Sequence, residues 1–318
     1  VSAAAGISPS IITLPDFLKQ KIDGDWSFTS TFARIDDDLY PEILIVADFN
    51  RTQLFTNNRD GTFSNATDTN VLTDTNGMGS ALGDYDNDGD LDWFVTSIMW
   101  PTDPWGGNRL WDNNNGVFAD PPFNPQVLDG GWGWAACFMD FENDGDLDIY
   151  HTNGWDLEGN FEFDVSRAFV GSGGGPFVER AAALGLADTE QGRGVVCADF
   201  DNDGDVDIFQ LHRGSPVAAT MWRNDSRGNN YLSVKLTGLP PNTEAVGARI
   251  FVTVGQITQM REIMVGNNFV SQNPTVQVFG LGVANQADQV RVEWPDGAGT
   301  TRVSVAAGQL LNLRHPSL

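Results

Sequence analysis

Short apolar runs, each cut off by a polar turn rich in glycine or asparagine, recur along residues 1–226. Three enter an acidic stretch, as GSALGD (79–84), AACFMD (135–140) and GVVCAD (194–199). Three leave it, as LDWFVTS (91–97), LDIYHTN (147–153) and VDIFQLH (206–212). Runs this short, without helical spacing, predict strands. A second phrase follows each exit run after a gap: QLFTNN (53–58), RLWDNN (109–114), RAFVGS (167–172) and TMWRND (220–225). In the first three units a polar turn and one more short run follow, as GTFSNAT, GVFADPP and GPFVERA. The pattern predicts about four units of four strands, the size of propeller blades, with the fourth unit ending after its third strand.

From Asn230 the acidic stretches stop and plain strand signals take over: YLSVKLTG, VGARIFVTVG, ITQMREIMVG, TVQVFGLG, QVRVEWP, TTRVSVAAG and QLLNLRH. Turn residues at 238–242, 266–268 and 296–299 separate them, as in a β-sandwich. The chain is therefore expected to be all-β, with a small or incomplete β-propeller over residues 1–226 and a β-sandwich over 227–318. One short helix is expected around Asp16 to Lys21. VSAAAGI (1–7) echoes VERAAALGL (178–186) without a preceding front half. Residues 1–25 thus complete the last unit, closing a ring, or complete a neighbouring molecule.

The acidic stretches are nine-residue phrases, DYDNDGDLD (84–92), DFENDGDLD (140–148) and DFDNDGDVD (199–207), opening 56 and 59 residues apart. Carboxylates fall on alternate positions: Asp84, Asp86, Asp88, Asp90 and Asp92; Asp140, Glu142, Asp144, Asp146 and Asp148; Asp199, Asp201, Asp203, Asp205 and Asp207. Five like charges spaced this tightly repel one another unless a cation sits among them. Side chains at positions 1, 3, 5 and 9, with the carbonyl of position 7, suit a hard cation that takes oxygen ligands. Glycine at position 6 (Gly89, Gly145, Gly204) allows a left-handed turn. An EF-hand would require helical flanks and glutamate at position 12, where this chain has Val95, His151 and Gln210. Calcium, about three ions, is expected over magnesium, which prefers strict octahedral sites. A fourth loop, RIDDDLYPE (34–42), has Arg34 in place of the first ligand and Leu39 in place of the glycine. Asp36, Asp38 and Glu42 form a degenerate site there, and the Arg34 guanidinium is expected to fill the cation's place.

The formal charge of -25 comes from 43 acidic and 18 basic residues, and the three intact loops hold 15 of the acids. That balance opposes binding to nucleic acid or to anionic membrane. No apolar stretch is long enough to insert in a membrane. The first residue, Val1, fits a removed signal peptide and equally a trimmed chain. Cys137 and Cys197 are the two cysteines, expected as small buried thiols on strands that face opposite sides.

With these residues in view, the loops and the NRLWDNN-like phrases after them resemble the FG-GAP or VCBS repeats of integrin α-subunit propellers and of secreted bacterial proteins. Residues 229–318, with AVGARI, QMREIMVG, VFGLG and VEWPDG, resemble the ASPIC/UnbV domain. The resemblance implies a propeller with calcium in its loops, acting as an extracellular binding or adhesion module. Related propellers often have seven blades, and about four are countable here.

Catalysis has little support in the sequence. His151, His212 and His315 are the three histidines, no nucleophile motif accompanies them, and the first two read as rim residues. If the acidic loops join strands 1 and 2 of each unit, the remaining connections emerge on the opposite face. Trp100, Trp105, Trp132, Trp134, Trp155 and Phe161 lie in those connections, as candidates for stacking on sugar rings or gripping a protein, or as plugs between blades. Asn50, Asn65 and Asn224 open N-x-S/T sequons. The expected function is a secreted, non-enzymatic calcium-binding module for an extracellular protein or glycan. The alternatives are a subunit of a homopolymer joined through residues 1–25 and a carbohydrate-active enzyme using the aromatic face.

Overall fold

The computed structural model describes residues 26–100, 106–121, 124–155, 161–214 and 216–318. The segment 1–25, with its expected helix and strand exchange, and Trp105 lie outside the described residues. The remainder is all-β, with 22 strands and two helices of one turn or little more, α1 (Asn124–Leu128) and α2 (Ala181–Leu184).

Four up-and-down antiparallel meanders follow one another. The first comprises β1 (Ser27–Ala33), β2 (Glu42–Ala47), β3 (Gln53–Asn57) and β4 (Phe63–Asn65). The second comprises β5 (Ser80–Gly83), β6 (Asp92–Val95), β7 (Arg109–Asn114) and β8 (Val117–Ala119). The third comprises β9 (Gly133–Met139), β10 (Asp148–Asn153), β11 (Arg167–Val170) and β12 (Val178–Glu179). The fourth has three strands, β13 (Gly192–Ala198), β14 (Asp207–His212) and β15 (Ala219–Trp222), as its truncated sequence pattern requires. Every acidic nonapeptide connects the first strand of a meander to the second.

The first strands are neighbours, β5 lying against both β1 and β9, and β9 against β13. Apolar cores fill the spaces between consecutive meanders. Leu44 and Val46 meet Trp93 and Trp111 in one, and Phe94 and Leu110 meet Ile149 and Phe169 in the next. Tyr150 and Met139 meet Val195 and Ile208 in the third. The second strands of the two middle meanders are covered on both faces, β6 being buried at all four positions and β10 at all six. For that reason they read as continuous apolar runs and not as alternating ones.

The C-terminal residues form two facing sheets. One has the order β19 (Gln277–Gly282), β16 (Asn230–Thr237), β22 (Gln309–Arg314), with β16 and β22 parallel. The other has the order β18 (Ile257–Glu262), β17 (Arg249–Val254), β20 (Gln286–Glu293), β21 (Gly299–Ala306). Their inner faces bury Leu232, Val234, Phe279, Ile250, Val252, Val292 and Trp294. The Trp294 indole keeps a hydrogen bond of 2.9 Å to Thr300 Oγ1, which satisfies its single donor.

The meanders do not close on themselves among the described residues. Between β1 and β13 runs the segment after β18, a feature that strand counting does not anticipate. It bridges Phe32 through Val265, and its Gly266 and Asn268 carbonyls accept from Thr31 Oγ1 (2.6 Å) and Thr29 Oγ1 (3.0 Å) of β1. On the other side Asn268 Nδ2 donates to Val195 O (2.9 Å), and Asn273 Oδ1 accepts from Cys197 N (2.9 Å) of β13. Phe269 packs between Phe28 and Trp134.

A disulfide joins Cys137 of β9 to Cys197 of β13, correcting the expectation of two free thiols. Alternation along each strand fixes which face a side chain takes within its own sheet. The two sulfurs meet because the strands come from different sheets packed side by side, so the within-sheet argument did not apply.

Candidate cation-binding loops

The three intact loops share one backbone path. Glycine at position 6 is left-handed in each, at φ 99°, 99° and 96°, as the sequence requires. Asparagine at position 4 is left-handed too, with Asn87, Asn143 and Asn202 at φ 61°, 58° and 63°. The sequence reading missed this role, although asparagine's tolerance of that conformation was the available signal. The Arg34 loop has neither left-handed residue.

Each carboxylate position has a repeated job. The position-9 carboxylate clamps two backbone amides, one from position 2 of its own loop and one from the third strand's end. Asp148 accepts from Phe141 N (2.7 Å) and Gly171 N (2.8 Å). Asp207 accepts from Phe200 N (2.9 Å) and Asn224 N (2.7 Å), and Asp92 from Tyr85 N (3.2 Å) and Asn113 N (2.9 Å). The phrases RLWDNN and TMWRND thus supply amides that their spacing did not reveal. The position-7 carboxylates of Asp90 and Asp146 turn outward to the amides of Asn115 (2.8 Å) and Gly173 (2.7 Å), leaving the carbonyl at that position for the cation. Asp140 and Asp199, at position 1, each accept from the amides at positions 5 and 6.

Asp84 departs from that pattern. Both of its oxygens are buried and make no hydrogen bond of good geometry, although the Gly89 amide faces them. One oxygen each from Asp84, Asp86 and Asp92 lies within 4.8 Å of the others, and the same holds for Asp199, Asp201 and Asp203, and for Asp36, Asp38 and Glu42. The set Asp140, Glu142 and Asp144 of the middle loop does not converge in that way. Burial pushes the carboxyls up, Asp84 and Asp140 to about 7, Asp92 and Asp148 to about 9, and Asp205 to about 6. Buried like charges that would otherwise hold protons, with orphaned oxygens at Asp84, fit a hard divalent cation. These acidic clusters can therefore hold a metal ion.

Arg34 behaves partly as expected. It is buried, and its Nε donates to the Asp38 carbonyl (2.6 Å) inside the loop. The guanidinium then runs on toward Glu293 (3.9 Å) of the C-terminal sheets, while Asp38 takes a second cation, Arg59, at 2.6 Å. A second arginine escaped the sequence reading. Arg261 of β18 is buried within electrostatic reach of both Asp84 and Asp140, which oppose the lowering of its pKa by burial. It lines a cavity of about 270 Å³ between β5, β9, β13 and the C-terminal sheets, together with Asp140, Asp199 and the disulfide.

The described aromatic residues of these connections lie together and are mostly closed off from solvent, an arrangement closer to plugs between meanders than to an open stacking face. Trp132, Trp134 and Phe161 are buried, and Trp100 and Trp155 are half-buried. Trp132 stacks on Trp155 at 5.5 Å, and Trp100 meets Phe161 edge-on at 5.3 Å. Arg193 covers Trp134 at 4.1 Å and Arg213 covers Trp155 at 4.5 Å. Their mutual attraction and that of the guanidinium groups exceed what water offers such rings.

His151 is likewise no rim residue. It is fully buried between Phe94 and Phe169, takes a hydrogen bond from Asn108 Nδ2 (3.2 Å), and burial lowers its pKa to about 3, so the ring is neutral. His212 pairs with Asp188 (3.0 Å) and His315 with Asp296 (3.1 Å).

Comparison with known proteins adds the following. Residues 34–95, which span the Arg34 loop and the first intact loop, match the FG-GAP-like repeat, and residues 238–317 match the ASPIC and UnbV family. Human cartilage acidic protein 1 is 30% identical over 275 residues, covering 81% of this chain and 39% of that protein. The Xenopus tropicalis protein of that name is 30% identical over 287 residues, covering 83% and 41%. The chain thus spans about two fifths of the length of the curated relatives it matches. Among solved structures, the Vibrio cholerae biofilm matrix protein Bap1 aligns with a TM-score of 0.34 at 11% identity, over 87% of this chain and 48% of that one.

Proposed function

We propose that this chain, which carries FG-GAP-like repeat and ASPIC and UnbV sequence and is similar to cartilage acidic protein 1, is a calcium-stabilised binding or adhesion module that works outside the cell without catalysing a reaction. The observation that carries the cation part is Asp84. Its carboxylate is sealed from water and makes no hydrogen bond of good geometry, although the Gly89 amide faces it and the buried Arg261 lies within electrostatic reach. With Asp86 and Asp92 converging on it, the cluster is costly unless a proton or a further cation is present. Calcium suits the loops better than magnesium, because carboxylate and carbonyl oxygens on a flexible nine-residue turn make an adaptable site.

The extracellular part draws support from the Cys137–Cys197 disulfide, since such bonds persist in oxidising compartments. No helix among the described residues is long and apolar enough to cross a membrane. Residues 1–226 are proposed as a propeller-like part and 227–318 as the sandwich, with the segment after β18 meeting both β1 and β13. The binding partner is proposed to be an extracellular protein or glycan.

Thermal unfolding tests the cation part. The melting temperature is expected to fall by several degrees in EDTA, to recover with calcium, and to recover much less with equimolar magnesium. A melting temperature unmoved by EDTA counts against the reading.

A further inference from the structure

We propose that the acidic loops are coupled in series, each fourth-position asparagine fastening its loop to the next, so that a cation ordering one loop raises the affinity of its neighbour. The inference rests on the cation reading above and adds to it how the sites communicate.

The contact repeats. Asn87 Nδ2 donates to the carbonyl of Gly145 (3.5 Å), and Asn143 Nδ2 donates to the carbonyl of Gly204 (3.3 Å). In both cases the acceptor is the left-handed glycine at position 6 of the following loop, next to the residue whose carbonyl the cation reading assigns as a ligand. Asn143 also donates to Asp205 Oδ1 at 2.6 Å, a buried, charge-assisted bond to that position-7 residue itself. The Oδ1 atoms of Asn87 and Asn143 are buried and unpaired, so each amide is held through its nitrogen alone.

The link is unequal along the chain. One long bond joins 84–92 to 140–148, whereas two bonds join 140–148 to 199–207. Asn143 is fixed on its other side as well, its carbonyl accepting from Gly282 N at 2.9 Å. Gly280 lies so close that a Cβ there would come within 2.1 Å of Asp140 Oδ2 and 2.4 Å of the Asn143 carbonyl carbon. The C-terminal sheets therefore hold the middle loop in the position from which it reaches the last one. Asn202 has the same place and the same left-handed φ of 63°, is exposed, and makes no hydrogen bond to another loop. The series ends there because no intact loop follows.

Asn143→Gly keeps the left-handed backbone and removes the amide, and Asn202→Gly is the matched control. Calcium is titrated into the chelator-stripped full chain by calorimetry, and hydrogen exchange of the amides in 199–207 is followed with and without calcium. Steep, cooperative binding is expected for the wild type. Asn143→Gly should lose the cooperativity, weaken one site about tenfold, and speed exchange in 199–207 about tenfold in both conditions, as loss of one charge-assisted bond implies. Asn202→Gly should do neither, and Asn87→Gly should show the smaller effect of its single long bond. Calcium binding with independent sites and unchanged exchange in Asn143→Gly overturns the coupling alone. Absence of calcium binding in the wild type overturns the cation reading and the coupling with it.

Discussion

Replacing Glu262 by alanine is expected to destabilise the chain by about 3–5 kcal/mol, the loss typical of leaving a buried charge without its partner. Glu262 stands at the end of β18, buried, where the C-terminal sheets meet the first meander. One of its oxygens takes the Arg249 Nε at 3.0 Å, and the other takes the Arg34 amide at 3.1 Å. Arg249 in turn donates to the Arg34 carbonyl, so three buried residues tie two parts of the chain. Alanine leaves the Arg249 guanidinium, 3% exposed, without its hydrogen-bonded carboxylate and beside Arg34, with the non-bonded Asp90 carboxylate as a weaker offset. Chemical denaturation measures the loss. Glu262→Gln, which keeps shape and one acceptor, should lose less than alanine and more than a surface exchange. A change below about 1 kcal/mol in Glu262→Ala would show that the junction does not hold the fold.

Reducing the Cys137–Cys197 bond is expected to cost about 4 kcal/mol, from the entropy regained by an unfolded chain no longer closed over a separation of 60 residues. The bond also joins the inner strands of the third and fourth meanders, and the latter has three strands among the described residues. The double variant Cys137→Ser, Cys197→Ser should match the reduced wild type in denaturant midpoint, and dithiothreitol should leave that variant unchanged. Equal midpoints for oxidised and reduced wild type would contradict the stated role.

Several features were legible in the residues alone. Repetition of DxDxDGDxD placed the first-to-second strand connections, and the truncated fourth unit showed where the meanders stop, because a turn motif and its flanking apolar runs are local. What escaped depends on parts distant in the chain. The position-9 clamps needed the third strand to swing back beside its loop. Arg261 and the segment through Asn268 act on the first strands from between 73 and 239 residues away, and nothing in their local pattern says so. His151 reads as a rim residue because connections usually run over the surface, and Trp132 and Trp134 read equally as exposed partners or as plugs; here all three pack between meanders. Composition tells that such rings are present, and only packing decides whether they meet solvent.

The central claim is that the alternating carboxylates are cation sites and not merely acidic turns. Direct titration of calcium into the chelator-stripped chain tests it, read alongside Asp84→Asn. The account predicts saturable binding at about three sites in the wild type and the loss of one site in Asp84→Asn, the residue with two orphaned oxygens. A wild type that takes up no calcium, or an Asp84→Asn variant that binds as many ions as the wild type, would contradict it.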